Sequence, residues 1–183
     1  MQTAHGVFLV IEGVGVLIAG EAGIGKSELA LDLISRGHQL VADDAPEFTI
    51  GNDQQIMVQC PTLLQDFLEI RGLGVINIRK LFGDSSIARH HPLDLIIELT
   101  LLPPPDNDAE QRLSGSISNT RICERTIPTT TLGVSPGRSL PVLVETAVRN
   151  HLLIRNGYNS AVDFQNRLQR LLDTSTVEHD NTK

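Results

Sequence analysis

Aromatic side chains, cysteines and cations are all scarce in this chain of 183 residues, and each scarcity excludes a class of protein. Aromatic residues make up 3% and tryptophan is absent, so the core must be aliphatic and few rings remain to stack on nucleic-acid bases. The 15 lysines and arginines against 22 acidic residues give a net charge of −7. This charge disfavours nucleic acid as the main partner, because such binding needs clustered cations.

Long apolar runs and a cysteine framework are absent as well. No segment approaches the roughly 20 apolar residues that cross a bilayer, and the N-terminus has no cationic stretch followed by an apolar run. Neither a membrane span nor a signal peptide is therefore predicted. Cys60 and Cys123 fit neither a metal-ligand spacing nor a disulfide framework. The starting hypothesis is a soluble, cytoplasmic domain with two ordinary thiols.

Short apolar runs alternate with amphipathic stretches, which predicts an α/β fold. Val7–Ile11 and Val14–Ala19 predict two strands joined by a tight turn. From Lys26 the apolar residues recur with a helical period, and Gly37 is placed to end that helix. Gln39–Ala42 then predicts a third strand.

The middle of the chain is less regular. We predict short helices within Pro61–Leu68 and Asn77–Phe82 and a strand over Leu93–Leu101. The proline-rich, acidic residues 103–110 predict a surface loop, and residues 114–138 predict mobile loops between short strands.

The segment from Ser139 onward is helical by pattern. Ser139 is placed to cap one helix, which Asn156-Gly157 ends. Ser160, three residues before Asp163, resembles a capping box at the start of a second helix. Residues from Asp173 onward are polar and are predicted to fray.

The most specific motif is a glycine-spaced loop between an apolar strand and an amphipathic helix. It matches G-x-x-x-x-G-K-[ST], in which backbone N–H groups surround phosphates, the lysine reaches the β- and γ-phosphates and the final hydroxyl ligates Mg²⁺. The alternative is a chance glycine-rich turn. The predicted nucleotide-binding residues are Gly20, Glu21, Ala22, Gly23, Ile24, Gly25, Lys26 and Ser27.

Two further segments carry groups suited to phosphoryl transfer. Asp43 and Asp44 follow a strand, where one could serve a metal and the other act as a general base; a solvated turn is the alternative. Glu69 and Arg71 lie on one side of an extended segment and suit a metal and a phosphoryl group, with a surface ion pair as the alternative. His5 has no partner evident in the sequence, so its chemistry alone favours a structural role.

Several stretches together resemble one family, the catalytic domain of bacterial HPr kinase/phosphorylase. The resemblance covers nearly the whole chain, and Glu-Ile-Arg-Gly-Leu-Gly is its most distinctive stretch. The segments that carry it are His5–Val7, Gly20–Ser27, Arg36–Asp44, Leu68–Gly74, Arg112-Leu113 and Gly137-Arg138.

This resemblance implies an ATP-dependent protein-serine kinase that acts on the phosphocarrier protein HPr. The reverse activity would use inorganic phosphate and release pyrophosphate. The implied fold is a P-loop domain related to phosphoenolpyruvate carboxykinase, with a mixed central sheet and C-terminal helices that help to contact HPr. It would span residues 1–172, before a polar, disordered tail at 173–183, and assemble as a hexamer in the cytoplasm, without nucleic-acid or membrane partners.

The resemblance also assigns roles to individual residues. Lys26 would grip the β- and γ-phosphates, and Ser27 and Glu69 would hold Mg²⁺. One of Asp43 and Asp44 would take the serine proton. The residues that would position or neutralise phosphate are His5, Arg71 and Arg112.

Two departures from the family pattern bear on these expectations. Relatives carry a further N-terminal domain, whereas this chain begins almost at His5, as a naturally short form or as a trimmed one. Gly133, Ser135 and Ser139 differ from the family's usual residues in a segment linked to dephosphorylation. The kinase direction is therefore the firmer expectation.

Two other functions remain open from the sequence. One is a small-molecule kinase on the same loop, which turnover of metabolites without a protein acceptor would reveal. The other is a regulatory module that binds ATP without transferring phosphate.

Overall fold

The computed structural model describes residues 2–3, 5–51, 53–101 and 115–180. The strands in these ranges are β1 Gln2–Thr3, β2 Val7–Ile11, β3 Val14–Gly20, β4 Gln39–Ala42, β5 Glu47–Ile50, β6 Ile56–Gln59, β7 Phe67–Ile70, β8 Gly74–Asn77, β9 His90–Pro92, β10 Leu95–Thr100, β11 Ile117–Ile122 and β12 Arg125–Gly133. The α-helices are α1 Lys26–Ser35, α2 Ile78–Phe82, α3 Leu140–Arg155 and α4 Ser160–Asp180.

A six-stranded sheet organises the fold, in the order β11-β12-β10-β3-β2-β4. Strand β10 runs parallel to both β3 and β12, whereas β2 is antiparallel to β3 and β4. Strand β11 is antiparallel to β12 at one edge. The mixed α/β class, with a mixed central sheet and C-terminal helices, is thereby confirmed.

The two faces of this sheet bury different partners. Helices α1 and α3 cover one face, with Leu33 and Val144 fully buried against strand residues. On the other face, Phe48 of β5 and Val58 of β6, two strands of a separate four-stranded sheet, pack with Phe8. Among the described buried apolar residues, Phe8 and Phe48 are the only aromatic ones, so the core is otherwise aliphatic as predicted.

Two smaller sheets flank the central one. Strands β1, β5, β6 and β9 form a four-stranded sheet in the order β1-β5-β6-β9, and β7 pairs with β8 as a separate hairpin. None of the helices in the described ranges is both long and apolar enough to cross a membrane.

The first 44 residues fold as their pattern predicts. Strands β2 and β3 pair from Ile11 opposite Val14, and Glu12 and Gly13 between them have φ of 51° and 78°. Such left-handed pairs form the two-residue turns that match the twist of a hairpin. Helix α1 ends before Gly37, whose φ of 100° continues the chain into β4.

The middle of the chain agrees in part. The predicted helix at 61–68 is only a 3-10 turn over Thr62–Leu64, because β7 begins at Phe67. Helix α2 forms as predicted, and the Asn77 side chain accepts a hydrogen bond from the Lys80 N–H at 2.9 Å. The predicted surface loop at 103–110 lies outside the described residues.

The expectation of mobile loops between short strands at 114–138 is confirmed only for the presence of strands, because in the described part of that segment the strands are long and the connection between them is short. Strands β11 and β12 fill it and form a hairpin, with Ile122 opposite Arg125. Its turn residues, Cys123 and Glu124, have φ of 47° and 64°. Neither is a typical residue for this turn, while the threonines of β12 favour a strand through their branched side chains.

The capping residues of the last two helices also differ from expectation. Ser139 is at the start of α3, but its side chain makes no capping hydrogen bond. At α4 the cap is Asn159 and not Ser160, because Asn159 Oδ1 accepts from the N–H groups of Ala161 and Val162 at 3.0 and 3.3 Å. Helix α4 continues to Asp180, past the predicted domain boundary at residue 172; the division into domain and tail stays a prediction.

Candidate functional site

The glycine loop Gly20–Ser27 connects the end of β3 to the start of α1. Gly20 has a φ of 141°, and a Cβ there would lie 2.7 Å from the Leu99 carbonyl oxygen, so no larger residue fits. Below the loop, Ile24 is buried in the core while its N–H donates to the Glu21 carbonyl at 3.3 Å. The burial of Ile24 and its backbone hydrogen bond therefore stabilise the conformation of the loop.

Lys26 closes the loop on itself. Its Nζ donates to the carbonyl oxygens of Gly20 and Glu21, both at 2.9 Å. Neither bond pairs the ammonium with a carboxylate, so its charge remains free to attract phosphate at the mouth of the loop. The adjacent N-terminus of α1 adds its own positive potential.

The two aspartates after β4 have different surroundings. Asp43 Oδ2 accepts a hydrogen bond from the Glu69 N–H at 3.0 Å. Burial raises the pKa of the Asp43 carboxyl, and the nearby charges of Asp44 and Glu69 act in the same direction, while the bond from the Glu69 N–H opposes them.

Asp44 instead faces solvent. Its side chain is 80% exposed, and Asp44 Oδ1 lies 3.6 Å from Nδ1 of His5, which is 92% exposed. Asp44 has a φ of 59°, in the left-handed region that a non-glycine residue rarely adopts. Such conformations concentrate at functional sites, where the surrounding structure maintains them.

The hairpin β7–β8 brings the third set of groups over the loop. Glu69 is in β7, and its N–H donates the hydrogen bond to Asp43 described above. Arg71 follows β7, and a Cβ at Gly23 would lie 3.2 Å from Arg71 Nη2. Gly23 therefore leaves room for a guanidinium that approaches the loop closely.

These three segments face one open cleft of about 960 Å³. Most of the residues predicted from sequence line it: His5, Gly20, Ala22, Gly23, Gly25, Lys26, Ser27, Asp43, Asp44, Glu69 and Arg71. The side chains of Glu21 and Ile24 do not. Arg112 lies outside the described residues.

The chemistry of the cleft fits a hard divalent cation. Ser27 and Glu69 offer a hydroxyl and a carboxylate oxygen, the ligand types that Mg²⁺ takes, usually together with water and substrate phosphates. No group of three or more His, Cys, Asp or Glu side chains among the described residues could form an all-protein metal cage. A metal held jointly with a nucleotide suits this set better.

Sequence reasoning missed two features next to the cleft. Glu98 is on β10 opposite Ala19, the residue before the loop. The sequence feature that could have pointed to Glu98 is a single carboxylate within an otherwise apolar strand. Arg79, just after the hairpin in sequence, forms an ion pair with Asp66, just before the hairpin. No local pattern signals that pair.

Comparisons with known proteins agree with one another. The sequence model of the HPr serine kinase C-terminal domain matches residues 1–168. The HPr kinase/phosphorylases of Xanthomonas campestris pv. campestris strain B100 and Xanthomonas oryzae pv. oryzae strain PXO99A are each 49% identical over 175 residues, or 95% of this chain. The chain spans only 55% of the length of these relatives.

A solved structure extends the likeness to three dimensions. The Hpr(Ser) kinase/phosphatase from Coxiella burnetii is 42% identical and superposes with a TM-score of 0.80. The match covers 90% of this chain and 98% of that one.

Proposed function

Because this chain belongs to the family of HPr serine kinase C-terminal domains, we propose that it transfers the γ-phosphoryl group of ATP to a serine of the protein HPr. The observation that carries the proposal is the convergence of the glycine loop, the aspartate pair and the Glu69–Arg71 segment on one cleft. The fold we propose is a P-loop domain of the phosphoenolpyruvate carboxykinase type. The relatives' names, which pair kinase with phosphorylase, support a bifunctional enzyme.

The glycine loop binds the phosphates in this proposal. Lys26 turns from the two loop carbonyls toward the β- and γ-phosphates, and the backbone N–H groups of the loop surround them. Arg71 approaches the loop from the hairpin and neutralises charge on the transferring group. Arg112 remains a predicted phosphate contact on the strength of the resemblance.

Ser27 and Glu69 are the residues that we propose hold Mg²⁺. When bound, the ion neutralises the charge that develops on the β- and γ-phosphates. Asp43 supports this arrangement from behind, because its carboxylate accepts the hydrogen bond that fixes the backbone of Glu69.

Asp44 is the group that we propose takes the proton from the serine hydroxyl. It is exposed at the mouth of the cleft, where a protein acceptor can reach it, whereas Asp43 is half-buried and engaged with Glu69. His5 lies beside Asp44 and orients its carboxylate. The serine oxygen then attacks the γ-phosphorus, and ADP leaves.

The reverse reaction uses the same groups. An oxygen of inorganic phosphate attacks the phosphorus of phosphoserine, the bond to the seryl oxygen breaks, and pyrophosphate leaves. The proton released by inorganic phosphate passes through Asp44 to the seryl oxygen, so the step balances without another reactant.

Phosphate transfer to HPr is the direct test. We expect the chain with Mg²⁺ and γ-³²P-labelled ATP to label purified HPr, and Asp44→Asn to lower kcat by about 10²–10⁴-fold. ATP affinity should stay unchanged, because Asp44 is not placed on the glycine loop. Asp32→Asn, on the exposed side of α1, is the control of equal charge change.

Three results would count against this assignment. Binding of ATP with no labelling of HPr would favour a regulatory module, and turnover of a metabolite without HPr would favour a small-molecule kinase. Full activity of Asp44→Asn would remove Asp44 from the proposed role. The hexamer stays a prediction, which light scattering of the purified chain tests.

A further inference from the structure

The hairpin β7–β8 has no backbone pairing with the other described strands. It forms a two-stranded sheet of its own, whereas the other described strands belong to larger sheets. An isolated two-stranded hairpin is at best marginally stable in water. This hairpin nevertheless carries Glu69 and leads into Arg71, which both line the cleft. Something besides strand pairing must therefore fix its position.

A three-membered ionic cluster closes the base of the hairpin. Asp66 immediately precedes β7, and Arg79 follows β8 in the first turn of α2. Arg79 Nε and Nη2 donate to the two carboxylate oxygens of Asp66 at 2.6 and 2.9 Å, and Nη1 donates to Asp84 at 2.7 Å. The Ile78 N–H also donates to the Asp66 carbonyl at 2.8 Å.

The geometry of this cluster differs from that of an ordinary surface ion pair. The contact with Asp66 is bidentate, and the Asp66 side chain is only 18% exposed. Hydrogen bonds to Asp66 and Asp84 raise the pKa of Arg79. Asp66 itself has a φ of 73°, a left-handed conformation that costs free energy in a non-glycine residue. The cluster thus holds the chain in a bend from which β7 departs.

The far side of the hairpin is attached to the cleft. Asp43 accepts from the Glu69 N–H, and Leu68 and Ile70 are buried in the main core. Glu69 and Arg71 are two residues apart on this segment, so a displacement of the hairpin that weakens these contacts would move both relative to the glycine loop.

We propose that Arg79 is a positioning residue, which with Asp66 and Asp84 clamps the base of the hairpin and so sets where Glu69 and Arg71 stand over the glycine loop. The inference rests on the proposed function for the catalytic meaning of those two positions. The clamp itself is a mechanical property of the nucleotide-free protein.

Hydrogen exchange of the nucleotide-free chain tests the clamp directly. In Arg79→Met we expect the amides of β7 and β8 to exchange about tenfold faster or more, with β3 unchanged, because the hairpin opens locally. Arg79→Lys retains the charge but cannot bind both carboxylate oxygens. The hairpin of this variant should therefore exchange faster than that of the wild type and more slowly than that of Arg79→Met. Arg149→Met is the matched control, since it breaks another arginine–carboxylate contact, with Glu12.

Nucleotide binding and turnover give the second readout. In Arg79→Met we expect ADP, which lacks the transferring group that Arg71 would contact, to bind with the wild-type Kd without Mg²⁺, because the glycine loop is intact. The Mg²⁺ concentration for half-maximal activity should rise several-fold and kcat should fall by about 10–100-fold, since Glu69 is misplaced. Arg149→Met should change none of these quantities.

The outcomes separate the clamp from the proposed function. Unchanged hairpin exchange in both Arg79 variants would overturn the clamp, whether or not the chain phosphorylates HPr. Faster exchange throughout the central sheet would also overturn it, because Arg79 would then be a general stabiliser. If the wild type transfers no phosphate to HPr, the proposed function fails while the exchange data still decide the clamp.

Discussion

The Glu98 carboxylate is a single half-buried acidic group close to the glycine loop. It lies partly buried on β10, and burial raises the pKa of its carboxyl while the charge of Lys26 opposes the rise. Lys26 is the charged side chain that acts on this carboxyl group. The charge of Lys26, the residue that we propose binds phosphate, therefore favours the ionised form of Glu98.

Glu98→Gln should tighten the binding of polyphosphates, because it removes a negative charge near their site. At roughly 10 Å and an effective dielectric constant near 40, one charge contributes about 1 kcal/mol, or about fivefold in Kd. Calorimetry with MgADP at low ionic strength measures the effect, and Asp53→Asn on an exposed turn controls for net charge. A Kd equal to that of the wild type would show that Glu98 does not act on the loop.

Residues of the candidate site could be predicted from sequence where their chemistry is local. The glycine loop carries its motif in eight consecutive positions, so the sequence alone predicts Lys26 and Ser27 as site residues, and the structure places both in the cleft. The contacts between Asp43 and Glu69 and between His5 and Asp44 join distant parts of the chain. No spacing rule predicts such contacts, so the distinct surroundings of the two aspartates emerged only from the fold.

At the scale of elements, two hairpin turns with positive φ at both turn residues differ in how well the sequence predicts them. Glu12-Gly13 carries the glycine that such turns favour, and the strands on both sides were predicted correctly. Cys123-Glu124 adopts left-handed conformations without glycine or asparagine, so the sequence predicts only short strands with mobile loops where the structure has a tight hairpin. Pairing with β10 through β12 compensates for this unfavourable turn.

Glu124→Gly should therefore stabilise the chain. Glycine adopts a φ of 64° without steric cost, and the Glu124 side chain makes only a 3.6 Å exposed contact with Arg121. We expect a gain of about 0.5–1 kcal/mol in the free energy of unfolding, measured by urea denaturation. Ser118→Gly in the exposed part of β11 should instead destabilise it by a similar amount. A loss of stability in Glu124→Gly would contradict the assignment of the turn.

At the scale of the whole molecule, an ionic cluster connects the end of helix α1, which follows the glycine loop, to helix α3. Arg36, just after α1, donates to both carboxylate oxygens of Glu145 on α3 at 2.8 and 2.7 Å. His38 Nε2 lies 3.0 Å from the same carboxylate. Glu145 is 8% exposed, and the bonds from Arg36 are the main reason that its pKa falls to about 2.

This depressed pKa makes stability depend on acid in a defined direction. A carboxylate whose pKa is lower in the folded chain stabilises the fold above its ordinary value of 4.5, and that contribution is lost as pH falls toward 2. Asp43, whose pKa is raised in the folded chain, has the opposite effect, because its protonation on acidification favours the folded state. The contribution of Glu145 must therefore be isolated by comparing variants.

Glu145→Gln should lower stability at pH 7, because Arg36 and His38 lose a buried anionic partner. It should also make the free energy of unfolding depend less steeply on pH in the acid range. Urea unfolding between about pH 6 and pH 3 measures the free energy of each variant. We expect the difference between wild type and Glu145→Gln to shrink steadily below about pH 4.5, as the wild-type carboxylate begins to lose its advantage over the unfolded chain. Glu124→Gln, which alters an exposed carboxylate, should leave the wild-type slope intact. A difference that stays constant across this range would place the acid sensitivity elsewhere in the molecule.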